Sequence, residues 1–207
     1  VNNTGFSSNS ASYSGADNYG GAIRGKGNIK IEGSLFNNNY VGQHGSAIYC
    51  DGDLDIKNTK FTSNTAQYEG GAVYCVKSVT VNNCEFADNR AFADGGAIYW
   101  EGDNGIIYNM TCINNKGISA TKPDGVNTSS TRGGTISIIG SNITLSKSSF
   151  KIFNTRIAPT IIITIYNINT TVQAVEGLRI SLQAAYSLES ISSSLRTSFL
   201  LSCINLF

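Results

Sequence analysis

The chain has 207 residues, of which 14% are charged, and a formal net charge of +1. This length suits one domain or slightly more, and the balanced charge argues against a nucleic-acid-binding protein. Glycine is abundant at 22 residues and proline is scarce at 2. Together with many Asn, Ser, Thr and β-branched residues, this composition favours short strands joined by turns.

Three motifs recur along the chain, and the copies between Gly20 and Ile98 are 25 residues apart. The first joins glycines to a small and a β-branched residue, the second is Phe-x-x-Asn, and the third alternates apolar with polar residues. The first motif starts at Gly20, Gly45, Gly70, Gly95 and, after a longer interval, Gly133; the second starts at Phe6, Phe36, Phe61 and Phe86, with a degenerate copy at Cys112; the third starts at Ile29, Leu54, Val79 and Ile143.

The repeat predicts an all-β solenoid. Each copy holds three short segments with a period of two, and one face of each segment is apolar. A single copy cannot bury that face, whereas stacked copies can. We therefore predict a right-handed parallel β-helix with about 25 residues per coil over residues 1–150. A β-propeller would need a period of roughly 40–45 residues, and the Leu ladder of a leucine-rich repeat is missing.

The repeat is interrupted at two places. An insertion at residues 116–132, rich in Ser, Thr, Gly and Asp, is expected to form a loop that leaves one corner of the coil. Residues 151–207 lack the motifs, so we expect an irregular or partly helical tail. Two explanations stay open: an out-of-frame or truncated segment, or a cap with a helix over Leu178–Leu195. Because Val1 lies in the middle of a repeat, we expect the chain to be a fragment.

The repeat positions are explained by packing. The β-branched residue of the first motif and the Phe of the second are expected to point inward and to stack on their copies. The glycine pair and the Asn suit tight corners, and the Asn amide can bond the same amide one coil away. Cys50 and Cys75 occupy matching positions in adjacent coils, so they are either buried free thiols or a disulfide.

No catalytic, cofactor-binding or metal-ligating residue is predicted. Asp51, Asp53 and Asp55 lie close in sequence but lack the remaining positions of a calcium loop, so solvated turn charges are the preferred interpretation. His44 has no partner at a catalytic spacing, and we identify no pair of carboxylates that recurs on one flank of adjacent coils. Outward stacking is expected for Tyr49, Tyr74 and Tyr99, either to hold sugar rings or, more commonly, to stabilise the sheet.

The motifs resemble those of the adhesin-like β-helix proteins of methanogenic archaea, and they are also similar to the repeats of chlamydial polymorphic outer-membrane proteins. The resemblance rests on Gly95–Trp100, Ile106 and Asn114-Asn115, and on Gly133–Ile136 leading into Asn142-Ile143-Thr144. It implies export, an extracellular or cell-surface location, and a role in contact with host or neighbouring cells. It brings no catalytic residues. Five N-glycosylation sequons are compatible with such a location; they start at Asn2, Asn109, Asn127, Asn142 and Asn169.

Three functions are consistent with this sequence. The first is an adhesin-like structural or binding protein, a monomer whose partner is a cell-surface glycan or protein and which is not an enzyme. The second is a carbohydrate-active β-helix, lyase-like or glycosidase-like, with its catalytic coils outside this fragment. The third is a non-adhesive surface stalk. The most apolar run at 161–165 is too short to cross a bilayer, so we expect no membrane insertion by this fragment.

Overall fold

The computed structural model describes residues 1–12, 18–118, 134–139 and 143–148, together with the backbone of the strands at 149–151, 162–165, 170–173 and 179–181. Within this part of the chain all regular structure is β-strand, and the strands form three parallel sheets. The all-β solenoid predicted from the repeat is therefore confirmed. Each sheet runs along the axis of the solenoid, because every strand pairs with its copy in the next coil.

The three sheets are built from the successive sides of each coil. The ten-stranded sheet carries the second and third motifs, the seven-stranded sheet carries the first motif, and the five-stranded sheet follows the Asn of the second motif. The ten-stranded sheet comprises Gly5–Ser7, Ile29–Glu32, Leu35–Asn37, Leu54–Lys57, Lys60–Thr62, Val79–Ala87, Gly105–Ile113, Ile143–Ser146, Ser149–Lys151 and Thr170–Gln173; the seven-stranded sheet comprises Ile23–Gly25, Ile48–Cys50, Val73–Cys75, Ile98–Trp100, Ile136–Ile138, Ile162–Ile165 and Arg179–Ser181; the five-stranded sheet comprises Ser10–Ala11, Tyr40–Val41, Thr65–Ala66, Arg90–Ala91 and Lys116–Gly117.

The five-stranded sheet is a side of the coil that the motifs did not predict. Its strands are two residues long, too short for an alternating pattern to stand out. The three central strands nevertheless each place one apolar residue inward, since Val41, Ala66 and Ala91 are fully buried. A small apolar residue two positions after each Asn was the available signal.

The corners depend on residues in the left-handed region of the backbone. Gly45 has φ +63°, and its copies at Gly20, Gly70 and Gly95 behave alike, as the sequence predicted. The prediction for the Asn corner was wrong by one residue. In the Phe61 copy of the motif it is Ser63, with φ 54°, that is left-handed, whereas Asn64 is not among the residues with positive φ. A third left-handed position lies between the third and the second motif of a coil. It is Asn58, between Leu54–Lys57 and Lys60–Thr62, and Asn83, within the longer strand Val79–Ala87.

Apolar columns fill the interior as predicted. The Phe36 and Phe61 rings stack with centroids 4.9 Å apart and planes inclined by 7°, and Phe61 and Phe86 stack at 4.6 Å and 6°. Ile48, Val73 and their copies form a second column in direct register. Full burial of one such side chain contributes about 1.5–3 kcal/mol.

A ladder of buried amides runs beside the Phe column. Asn64 is fully buried, and its Nδ2 donates to Asn89 Oδ1 at 2.9 Å and to the Phe36 carbonyl at 3.0 Å. Its Oδ1 accepts from both the backbone N and the Nδ2 of Asn39, at 3.0 and 2.9 Å. The same bonds link Asn9 to Asn39 and Asn89 to Asn115. The amide–amide contact between coils expected from the sequence is confirmed.

The cysteine positions are also inward, and their occupants change size along the rod. Cys75 pairs with Cys50 on one side and with Trp100 on the other. The Trp100 ring fits because Gly105, which lies against it, has no side chain. The equivalent positions in the two preceding coils are Val79 and Leu54. A Cβ on Gly105 would collide with the Trp100 ring. The described cysteines Cys50, Cys75, Cys84 and Cys112 are free thiols in the structure.

The tail continues the sheets for at least three further strands. Ile162–Ile165 pairs with Ile136–Ile138, and Arg179–Ser181 pairs in turn with Ile162–Ile165. The alternative of a helix over Leu178–Leu195 is therefore wrong for residues 179–181, while residues 182–207 lie outside the described part of the chain. The out-of-frame hypothesis stays a prediction.

The first prediction concerns the amide ladder. Replacing Asn64 with Ala leaves donors on Asn39 and an acceptor on Phe36 buried without partners, and each such group costs about 1–3 kcal/mol. We expect Asn64→Ala to lower the free energy of unfolding by about 3 kcal/mol or more, measured by urea denaturation. As a control, Asn37→Thr should change it by less than about 0.5 kcal/mol, because Thr62 already occupies that position one coil later. Equal effects of the two variants would contradict the role of the ladder.

The second prediction concerns the size match between Trp100 and Gly105. Gly105→Val alone drives a side chain into the Trp100 ring, and Trp100→Cys alone opens a cavity, so each should destabilise the fold by about 3 kcal/mol. The double variant recreates the Cys75 and Val79 arrangement of the preceding coil and should recover most of the loss. A double-mutant cycle with no coupling between the two substitutions would refute the size match.

Candidate functional site

Polar side chains collect on the outer face of the seven-stranded sheet. In Ile48–Cys50, Val73–Cys75 and Ile98–Trp100 the first and third residues point inward, so the middle residue points outward, and the 25-residue step between these strands places the same position of successive coils side by side. This arrangement gathers His44, Glu69 and Asp94 in one column and the tyrosines in the next. The tyrosine–carboxylate face comprises His44, Tyr49, Asp51, Glu69, Tyr74, Asp94, Tyr99 and Glu101.

The tyrosines stack on one another as predicted, but little of them is exposed. The rings of Tyr49 and Tyr74 have centroids 5.1 Å apart, and those of Tyr74 and Tyr99 are 5.0 Å apart. Only 9% of Tyr74 and of Tyr99 is accessible to solvent. Because the ring planes face each other, their flat faces are already occupied. This geometry disfavours stacking of a sugar ring on the middle of the column and supports the sheet-stabilising interpretation.

The exposed rim of the column is made of hydroxyl and carboxylate groups. Tyr74 Oη donates to Glu101 Oε1 at 2.7 Å. Burial and, next, this hydrogen bond to Glu101 raise the pKa of Tyr74 far above its ordinary value. Burial and a hydrogen bond to Asp51 raise the pKa of Tyr49 in the same direction. Both phenols therefore remain protonated donors at neutral pH, each directed at a carboxylate.

The imidazole of His44 and the carboxylate of Glu69 lie beside the first coils of the tyrosine column. His44 Nδ1 is 2.7 Å from Glu69 Oε2, a distance at which the two groups form an ion pair whenever the imidazole carries a proton. The ring of His44 lies 4.9 Å from that of Tyr74 and stacks on Tyr19 at 5.3 Å. Arg24 caps the open end of the tyrosine column, with its guanidinium 4.8 Å from the centre of the Tyr19 ring. The edge of the face at these coils therefore brings a carboxylate, an imidazole and a guanidinium close to the aromatic rings.

The carboxylate pair corrects an expectation from the sequence. Glu69 and Asp94 occupy equivalent positions of adjacent coils, since their carbonyls accept from Gly45 and Gly70 in the same way. A pair of carboxylates thus does recur on one flank. The sequence feature that indicates this pair is the acidic residue directly before each glycine pair, at a position that belongs to the turn.

The three aspartates that adjoin in sequence do not converge. Asp55 points outward from the ten-stranded sheet and pairs with Lys57 at 3.4 Å and Lys30 at 3.6 Å. Asp53 accepts from the backbone of Ser78, and Asp51 belongs to the tyrosine–carboxylate face. Among the described residues, no group of three or more His, Cys, Asp and Glu side chains is placed to hold a metal ion.

Two sequons fall on described residues and differ in their surroundings. Asn2 is exposed, and Asn109 is exposed but donates its amide to Asn83 at 3.0 Å. The sequons at Asn127, Asn142 and Asn169 lie outside the described residues. The part of the chain that the structure describes contains no helix with the length and apolarity to cross a bilayer.

The third prediction concerns alkaline pH. The pKa of Tyr74 is raised above its ordinary value of 10.0 in the folded protein, so the unfolded chain releases this proton first. The stabilisation is complete below about pH 10 and is lost as pH rises beyond that value. We expect Tyr74→Phe to make the free energy of unfolding fall less steeply between pH 9.5 and about pH 11. Parallel pH profiles for the variant and the wild type would contradict this assignment.

Comparison with known proteins places the fold in a family. Neither the search of curated proteins nor the search of solved structures gave a match. The family model described as the right-handed β-helix region matches residues 20–155, which is more than half of the chain. These residues include the coils that carry the glycine motif and the Asn ladder. The chain therefore belongs to the right-handed β-helix region family.

Proposed function

We propose that the chain is an extracellular, adhesin-like binding solenoid that contacts a cell-surface glycan or protein through its tyrosine–carboxylate face. The observation that carries this proposal is the array of outward polar groups on that face. The fold requires the middle residue of each strand to point outward, but it does not require tyrosine hydroxyls directed at carboxylates or a histidine beside a glutamate. Ring stacking accounts for the tyrosines themselves and leaves the carboxylates and the histidine beside them unexplained.

The geometry favours recognition by hydrogen bonds rather than by ring stacking. Tyr74 and Tyr99 present edges, and the carboxylates of Glu69, Asp94 and Glu101 are acceptors. Hydroxyl groups of a glycan, or amide and basic groups of a protein, are the donors that such a surface accommodates. A neutral apolar partner is disfavoured because it would remove water from these carboxylates without adding hydrogen-bond donors in exchange.

The position of the insertion supports the same face. Lys116–Gly117 pairs with Arg90–Ala91, and Ile136–Ile138 pairs with Ile98–Trp100. The insertion therefore leaves and re-enters the coil at the corner that carries Asp94 in the preceding coil. Insertions in solenoids commonly gather on the side that binds partners. The structure of residues 119–133 lies outside the described part of the chain.

The fourth prediction tests the binding face with charge-matched variants. The full chain is assayed on a glycan array and on whole cells, beside the double variant Glu69→Gln with Asp94→Asn. We expect this variant to bind at least tenfold more weakly, which corresponds to about 1.4 kcal/mol. The control, Asp55→Asn with Glu85→Gln, removes the same charge from the outer face of the ten-stranded sheet and should bind like the wild type.

A deletion of residues 119–132 adds a second comparison. This shorter deletion spares Lys116–Gly117, which is part of the five-stranded sheet. Weaker binding by the deletion variant would place the contact at this corner. If the folded wild type binds no glycan, cell or protein, or if all variants bind equally, the proposal is wrong and a surface stalk replaces it.

A second candidate function, cleavage of a polysaccharide, is favoured by the pair Glu69 and Asp94. The backbones of equivalent residues on adjacent coils lie about 4.8 Å apart across the sheet. Retaining glycosidases use two carboxyl groups about 5–5.5 Å apart, which is a similar separation. The same protein samples test this alternative when they are incubated with polysaccharides. Release of reducing ends by the wild type, absent from the double variant Glu69→Gln with Asp94→Asn, would replace the binding proposal with an enzymatic one.

A further inference from the structure

Two buried cysteines face each other across adjacent coils. Cys50 and Cys75 are direct partners in the seven-stranded sheet, and neither has any accessible surface. The Cα atoms of in-register parallel strands lie about 4.8 Å apart, within the 4.4–6.8 Å range of disulfides. Because both side chains point into the same interior column, their Cβ atoms are directed to the same side of the sheet.

The two sulfur atoms share one acceptor. Cys50 Sγ is 3.3 Å from the Gly52 carbonyl oxygen, and Cys75 Sγ is 3.4 Å from the same atom. A hydrogen bond between the two thiols is the main cause that lowers the pKa of Cys50, and it raises that of Cys75, in accord with sulfur atoms that lie beside the same carbonyl oxygen. The sulfurs are thus side by side before any bond forms between them.

The other described cysteines lack such a partner. Cys84 pairs with Met110, and Cys112 pairs with Phe86 on the preceding coil. In the part of the chain that the structure describes, Cys50 and Cys75 are therefore the single pair of cysteines in direct register. Cys84 and Cys112 can therefore serve as internal controls for the pair.

We propose that Cys50 and Cys75 form a disulfide that clips two adjacent coils together when the chain folds in the presence of a low-molecular-weight disulfide. The Cys50 thiolate attacks one sulfur of the small disulfide, whose S–S bond breaks to give a mixed disulfide and one small thiol. Cys75 then displaces the second small thiol and completes the bond to Cys50. The two cysteines lose two electrons in total, and their two protons end on the two small thiols.

The timing of the reaction follows from burial. A small disulfide cannot reach sulfur atoms that have no accessible surface in the closed solenoid. The exchange therefore takes place while the coils are still open, during folding. Once closed, the same burial shields the bond from soluble reductants, which makes the clip persistent.

Non-reducing peptide mapping tests the proposal. The full chain is refolded with oxidised and reduced glutathione, alkylated under denaturing conditions, and digested with trypsin. The expected product joins peptide 31–57, which contains Cys50, to peptide 61–77, which contains Cys75. Peptides 78–90 and 91–116, which contain Cys84 and Cys112, should remain alkylated and unlinked. Cys50→Ala should abolish the linked product.

Thermal unfolding gives an independent readout. Closing a loop of about 25 residues should raise the melting temperature of the oxidised wild type by about 5–10 °C over the reduced protein. Cys84→Ser should keep this difference, and Cys50→Ala should lose it. Alkylated Cys50 and Cys75 in oxidised, folded wild-type protein would overturn the proposal. So would links from either cysteine mainly to Cys84 or Cys112.

Discussion

The in-register stacking of one coil on the next is the constraint from which the rest of the structure follows. The main-chain bonds between coils fix a spacing of about 4.8 Å, and the side chains must accept it. Flat rings suit this distance, and the Phe36 and Phe61 centroids are 4.9 Å apart. Planar amides suit it as well, since Asn64 bonds to its copies on both sides. A residue that can bond or stack with itself is therefore favoured at each inward position.

This self-matching explains which parts of the fold were readable from the sequence. The Phe and Ile columns, the Gly corners and the amide ladder repeat visibly, because each position selects one residue type. The two-residue strands were missed because they span a single period of alternation, which is too little for a pattern to be recognised. The left-handed residue of the Asn corner lies one position before the Asn that was predicted. That position is Asn38, Ser63 or Asp88 in successive coils, so no single residue type marks it. The match between Trp100 and Gly105 depends on contact within the coil, which no repeat reveals.

The candidate site was harder to predict for a related reason. Outward positions are not selected by packing, so their residues change from coil to coil: His44, Glu69 and Asp94 occupy one column. Such a column contains no identical residues and so is not recognised as a repeat. Its chemistry becomes visible once the register between the coils is known. Tyr49 and Tyr74 were found because they repeat, and the structure then shows that their faces are already covered by each other. Variation at outward positions, read in register, is thus the more informative signal for binding.

The amide ladder also gives the rod a direction. In this ladder, each Asn from Asn9 to Asn89 donates an amide hydrogen to the Asn of the coil that follows, and each Asn from Asn39 to Asn115 accepts from the Asn of the coil that precedes it. The amide dipoles consequently point the same way, and each bond polarises the next. An additional coil placed within the ladder would therefore have to present its Asn in the same orientation, with Oδ1 toward the coil before it and Nδ2 toward the coil after it. A coil inserted with the reverse orientation would set donor against donor on one side and acceptor against acceptor on the other, so a single column of side chains restricts how the repeat can be extended.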